Sequence, residues 1–374
     1  MTLPVKLSPI EHGFLRDLSA SGSGWGAELR EELEARGLPH RRVEEWKWSD
    51  LKTALSRVES GQVPLTVSAS REPDERRAPG DDDVMAGVMP RLAAALGGDA
   101  SLYRLERQDD VLSLDIEANA GTGHTLIVVD VAPGISARLD ERYAVTDPSL
   151  ANIAILVRLG SGARLERTIE QAGSDDGVLV VTSRIELGIE AGFKQTTLGF
   201  GARLARLETH VIHPGEGAKV SLAGSYLLSG KRHLDQTTLV HHTGPNGETR
   251  ELFKGAAGER ARGVFQGKIA VDRAAQKTDA EMQHRGMLLS DGAEIDAKPE
   301  LEIYADDVVC AHGNALGAID DDALFYMRQR GMSETEARAL LTESFLAEPL
   351  DAITDEVRRD DLLAKLRTAL EALT

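Results

Sequence analysis

The chain has 374 residues, enough to bury a sizeable core spread over two or three domains. Its 61 acidic side chains against 43 basic ones give a formal charge of −18, which repels phosphate backbones and anionic bilayers and so argues against nucleic acid and membrane as partners. A single cysteine, Cys310, excludes an internal disulfide and any four-thiolate cluster or zinc site built by this chain alone.

Glycine is frequent at 36 residues and aromatics are scarce at 4%, so the core must be aliphatic and interrupted by many turns. The opening MTLPVKLSPIEHGFLRDLSA has no basic segment followed by an unbroken apolar run, and no window reaches the length of a membrane span. A cytoplasmic location is the expectation.

A helical pattern runs from Pro9 to about Leu55, and a helical domain is expected over residues 1–60. Ala27, Leu29, Leu33 and Leu38 fall near helical spacing, and Gly37 with Pro39 supplies a stop. Trp46 and Trp48 lie in a charged frame, PHRRVEEWKWSDLKTAL, and should dock this piece on a neighbour. Residues 61–83 mix Pro, Gly, Ser and charge without a sustained period, which predicts a linker over 61–95 that cannot order itself.

From about Ser101 to Val309 short apolar runs such as TLIVVDV, ANIAILVRL and VLVVTSRIELGI alternate with Gly, Asp and Asn turns. No helix-length amphipathic stretch intervenes, which excludes an α/β crossover fold. The length also exceeds an ordinary sandwich. Gly162, Gly192, Gly217, Gly247 and Gly292 open recurring segments at uneven spacing. Stacked coils account for this best, so a β-helix core is expected over 96–315, with a long double sheet as the alternative.

Helical periodicity returns in 316–374. Asp320 to Asp322 precede one helix, Ser333 and Glu336 have capping-box spacing before the next, and Pro349 separates a last one.

Familiar catalytic motifs are missing. Gly224-SYLLS-Gly230-Lys231-Arg232 only approximates a phosphate-binding loop, with one residue too many and Arg where the hydroxyl belongs. There is no His-Glu-x-x-His, Cys-x-x-Cys, Gly-x-Ser-x-Gly or dinucleotide fingerprint. His210 with His213, and His241 with His242, point to opposite faces of a strand and read as structural or solvent-facing. Asp306 and Asp307 read as turn residues. One constellation remains: if a strand runs through Val309-Cys310-Ala311-His312, thiol and imidazole share a face and suit iron or zinc.

Leu252 to Gly331 resembles the SufB/SufD family of iron–sulfur cluster assembly proteins. Phe-x-Gly-x-Ile-x-Val at 265–271, Ala-Gln-x-Thr-Asp-Ala at 275–280, Pro-x-Leu-Glu-Ile at 299–303, Asp-Asp-Val-x-Cys-x-His-Gly at 306–313 and Leu-Phe-Tyr-x-x-x-Arg-Gly at 324–331 occur in the family's order. Cys310-x-His312-Gly313, then Leu316-Gly317 and Ile319-Asp320, is similar to the SufD branch, since SufB-like chains carry Glu at the Gly313 position and more Cys. Gln236 stands where relatives often place His.

The resemblance implies a right-handed parallel β-helix between helical ends, and a non-catalytic scaffold subunit that pairs with SufB and binds the SufC ATPase. In isolation a homodimer is a further expectation. It implies that His312, with Cys310 second, meets iron or a nascent cluster transiently at the SufB interface, with no cofactor held stably by the isolated chain. The tail, represented by Leu324, Phe325, Tyr326, Arg330, Leu340, Leu341 and Phe345, would dock SufC. The alternatives are a SufB-like scaffold acting as a homodimer and a β-helix carbohydrate-active enzyme, which would need carboxylates converging on one coil face.

Overall fold

The computed structural model describes residues 6–19, 24–213 and 215–373; the start of the stretch read for a leader, residues 20–23 of the helical N-terminus, Pro214 beside His213 and the last residue of the tail lie outside them. Strands make up 45% of the chain and form a β-solenoid of about eight turns, flanked by helices at both ends of the sequence. The strands form two nine-stranded sheets, and from Ala100–Leu105 onward successive strands alternate between them. Sheet I ends in Glu294–Ile303 and sheet II in Val309–Gly317. Ladders between coils are parallel; among the described residues antiparallel ladders are made by the two short strands Thr66–Ala69 and Glu75–Arg77 at the opposite end, and one isolated antiparallel bridge joins Ala202 and His233.

The coil length follows from register. Ser136 lies beside Arg164 and Arg164 beside Gly192, 28 residues at each step; Asp279 lies beside Val309, 30 residues on. One corner recurs with positive φ two residues before six of the nine sheet II strands, at Gly134, Gly162, Glu190, Gly217, Asn246 and Lys277. Glycine takes this left-handed conformation without a Cβ clash, yet half of the corners use polar residues instead. That substitution, and Gly292 belonging to the other corner, is why the glycine spacing looks uneven in the sequence. Gly224 lies in the middle of the strand Lys219–Leu228, so the approximate phosphate loop is a strand and a corner.

Two-residue alternation sends one set of side chains into the solenoid and the other onto its outer faces. Inside, Leu139, Leu165, Phe193, Val220, Phe253 and Met282 belong to one continuous core. Outside sheet I, Leu150, Val178, Val180 and Leu204 are covered by Phe14, Leu29, Leu33, Trp46 and Leu51 from the N-terminal helices. Outside sheet II, Leu198, Leu227, Ala256 and Met287 are covered by Leu346, Leu350, Leu362, Leu366 and Leu370 of the tail.

Two expectations need correction. The stretch 61–95 is ordered: it holds the strands Thr66–Ala69 and Glu75–Arg77 and the helix Val88–Leu96. Its low hydrophobicity is offset because the first coil presents unpaired strand edges, which supply hydrogen bonds that local composition does not reveal. The helical N-terminus is also shorter than its periodicity suggests. Pro9–Leu18 and Gly24–Arg36 are α-helical, but beyond Gly37, at φ 70°, come only single turns at Glu44–Trp46, Leu51–Ala54 and Leu55–Arg57.

Candidate functional site

The strand does continue through His312. Val309–Gly317 is the edge of sheet II and pairs only with Asp279–Leu288, setting Cys310 beside Ala280, His312 beside Met282, Asn314 beside His284 and Leu316 beside Gly286. Ala280, Met282 and His284 are buried inside the solenoid. Cys310 packs against that core, and Asn314 hydrogen-bonds to His284, so this face of the edge strand continues the interior. By alternation His312 shares it. No further strand covers the last coil, and His312 and Asn314 are therefore exposed while lying on the inner face.

Cys310 is half-buried, and loss of solvation pushes its thiol pKa up. Sequence reading placed Cys310 and His312 on one face, and the ladder brings them together there. The opposite face of the strand is small: Ala311, Gly313, Ala315 and Gly317, with open space where a Cβ at Gly313 or Gly317 would stand. Ile303, Tyr304, Val309 and Leu316 add exposed apolar surface around the same end, Val309 at 71%. Both final strands also leave one row of backbone N–H and C=O groups unpaired, a surface suited to another chain.

The four histidines singled out in the sequence are held by contacts within the solenoid. His213 and His242 are neighbours across one ladder and pack edge to face, 4.0 Å apart, buried inside the solenoid. His210 contacts Glu208 and His241 contacts Asp272. Among the described residues no group of three or more His, Cys, Asp or Glu could hold a metal ion. Any iron at His312 thus needs ligands from elsewhere.

The tail residues divide by face. Phe325, Tyr326 and Leu340 are exposed, with Arg330 stacked on Tyr326 and donating to its hydroxyl. Leu324 is buried and Phe345 packs under Lys254, so these two turn inward; Leu341 is half-buried. Sequence reading missed His284, which meets Asn314 through the coil register, and Tyr226, which meets His284; a known coil length would have paired 284 with 314.

The chain is thus a helix-flanked β-solenoid whose last sheet II strand carries Cys310 and His312. The family model described as SUF system FeS cluster assembly, SufBD core domain, matches residues 114–345, and the chain belongs to that family. Within it the chain is most like SufD. It is 34% identical over 206 residues to a SufBD family iron–sulfur cluster assembly protein of Synechocystis, covering 55% of this chain and 46% of that one. A SufBD family protein of Mycobacterium tuberculosis is 28% identical over 367 residues, 91% of each chain. The iron–sulfur cluster assembly protein SufD of Escherichia coli is 34% identical over 166 residues, 44% of this chain and 39% of that one. The match thus spans less than half the length of two of these relatives. No helix among the described residues is long and apolar enough to cross a membrane.

Proposed function

We propose that this chain is the SufD-like scaffold of a SUF assembly complex. It pairs with a SufB-type partner through the uncovered last coil and offers His312 to iron or a nascent cluster as it is built. The observation that carries this reading is the position of His312: an imidazole on the inner face of an edge strand, exposed because nothing covers the coil. One cysteine cannot complete a cluster, so the remaining ligands must come from the partner. In this reading the chain divides at 1–60, 61–95, 96–315 and 316–374, with docking of the SufC ATPase on the exposed tail face of Phe325, Tyr326, Arg330 and Leu340, and ATP hydrolysis left to SufC. Without SufB the same edges would pair two copies. Cytoplasmic iron–sulfur assembly is the setting in which a reduced Cys310 fits.

The test is co-expression with SufB and SufC from the same source, wild type against His312→Ala, with anaerobic purification and visible absorption per complex. Assembly of both complexes with cluster lost only in the variant is the expected result. Equal cluster in both would make His312 a structural residue.

A further inference from the structure

The interior of the solenoid reaches the open end through a chain of three side chains that the proposed function does not use. Tyr226, His284 and Asn314 come from three strands of sheet II, Lys219–Leu228, Asp279–Leu288 and Val309–Gly317; the strand Glu248–Ala257 lies between the first two, and Tyr226 reaches across its Gly255. His284 Nδ1 is 2.9 Å from Asn314 Oδ1, and His284 Nε2 is 3.0 Å from the Tyr226 hydroxyl. An amide oxygen can only accept, so Nδ1 carries the proton. Burial holds the His284 pKa down at about 4, which leaves the ring neutral near pH 7 and makes Nε2 the acceptor of the tyrosine proton. The chain therefore has one direction: Tyr226 O–H to Nε2, then Nδ1–H to Asn314 Oδ1.

Each member is held in place. A Cβ at Gly255 would lie 1.7 Å from Tyr226 Cζ, and one at Gly263 would lie 2.6 Å from Cε2, so the phenol fills a slot that exists because both residues are glycine. The imidazole stacks on Phe265 with centroids 5.0 Å apart and planes 5° apart. Tyr226 and His284 are fully buried, whereas Asn314 is exposed at the mouth. With Oδ1 committed inward, the Asn314 amide keeps two N–H donors with no partner among the described residues. They stand one two-residue step along the strand from His312, about 7 Å, on the same face.

We propose that Asn314, oriented by His284 and Tyr226, is a positioning residue that donates an N–H hydrogen bond to a sulfide or thiolate sulfur bound to iron at His312. This rests on the function proposed above. A fixed donor beside the ligand restrains where sulfur sits, and hydrogen bonds to sulfur stabilise the added negative charge of a reduced cluster. His284 acts through Asn314 and does not touch the cargo.

The experiment uses the complex co-expressed with SufB and SufC, purified anaerobically, with Asn314→Leu, His284→Leu and His312→Ala compared with wild type. The readouts are subunit stoichiometry, the visible absorption and circular dichroism of the cluster, and its midpoint potential. Asn314→Leu removes an exposed side chain, so the fold and the stoichiometry should persist while the bands shift and the potential becomes more negative. His284→Leu should shift both in the same direction, and the double variant should go no further than Asn314→Leu. Wild-type bands and potential in Asn314→Leu, with cluster lost in His312→Ala, would overturn this inference alone. Wild-type behaviour in all three variants would overturn the assembly reading and this inference with it.

Discussion

Ser49 donates its hydroxyl hydrogen to Asp235, 186 residues later in the chain, and the contact is wholly buried. Asp235 also receives the Arg206 guanidinium, which lies over the Trp46 ring at 4.3 Å from its centroid. This cluster pins the N-terminal segment to the outer face of sheet I. Removing one partner from a buried ion pair leaves an uncompensated charge, so Asp235→Ala should cost about 3–5 kcal/mol. Ser49→Ala removes one buried hydrogen bond and should cost about 1–3 kcal/mol. Denaturant unfolding measures both, and equal midpoints for wild type and Asp235→Ala would contradict the clamp.

Gly255→Ala places a methyl group inside the Tyr226 ring. Overpacking of this kind costs about 1–3 kcal/mol and forces a side-chain shift. A lower melting temperature is expected, with partial recovery in the double variant Gly255→Ala, Tyr226→Leu, whose smaller side chain vacates the slot. Failure of the second change to restore any stability would place the strain elsewhere.

Acid should destabilise the protein well before its carboxylates titrate. Burial holds His124 and His242 at about 3 and His213, His233 and His284 at about 4, against 6.5 when unfolded. As pH falls below about 6.5 the unfolded chain takes up protons that the folded chain refuses. The stability these rings contribute is complete above 6.5 and is lost toward pH 4 to 3. Glu251 works in the opposite sense: burial raises it from 4.5 to about 8, so its contribution is present below 4.5 and is lost as pH rises through 8. Five imidazoles outweigh one carboxyl, and the denaturant midpoint should drop between pH 6.5 and 4.5. His213→Leu should make that slope shallower, and an unchanged slope would exclude His213 from the effect.

Phe325→Glu or Leu340→Glu alters an exposed apolar position on the tail. Surface changes of this kind move stability by about 0.5 kcal/mol or less. Melting should be nearly unchanged while co-purification with SufC is lost. Retained SufC in both variants would move the docking surface off this face.

Composition and periodicity by themselves determined a long β core between helical ends, because alternation and short Gly-rich turns are local properties; they favoured stacked coils over a long double sheet without deciding between them. Cys310 and His312 could be placed on one face for the same reason: two residues apart in a strand is a fixed geometry. The tertiary structure alone decided which coil was last, and therefore that His312 lies on an interior face yet meets solvent. It also decided that the stretch 61–95 orders itself, since the sheet edges that hold it are built by residues 100–118. The Tyr226–His284–Asn314 chain was hidden because its members are 58 and 30 residues apart. The ladder register, with Tyr226 beside Gly255, Gly255 beside Gly286 and His284 beside Asn314, brings them together.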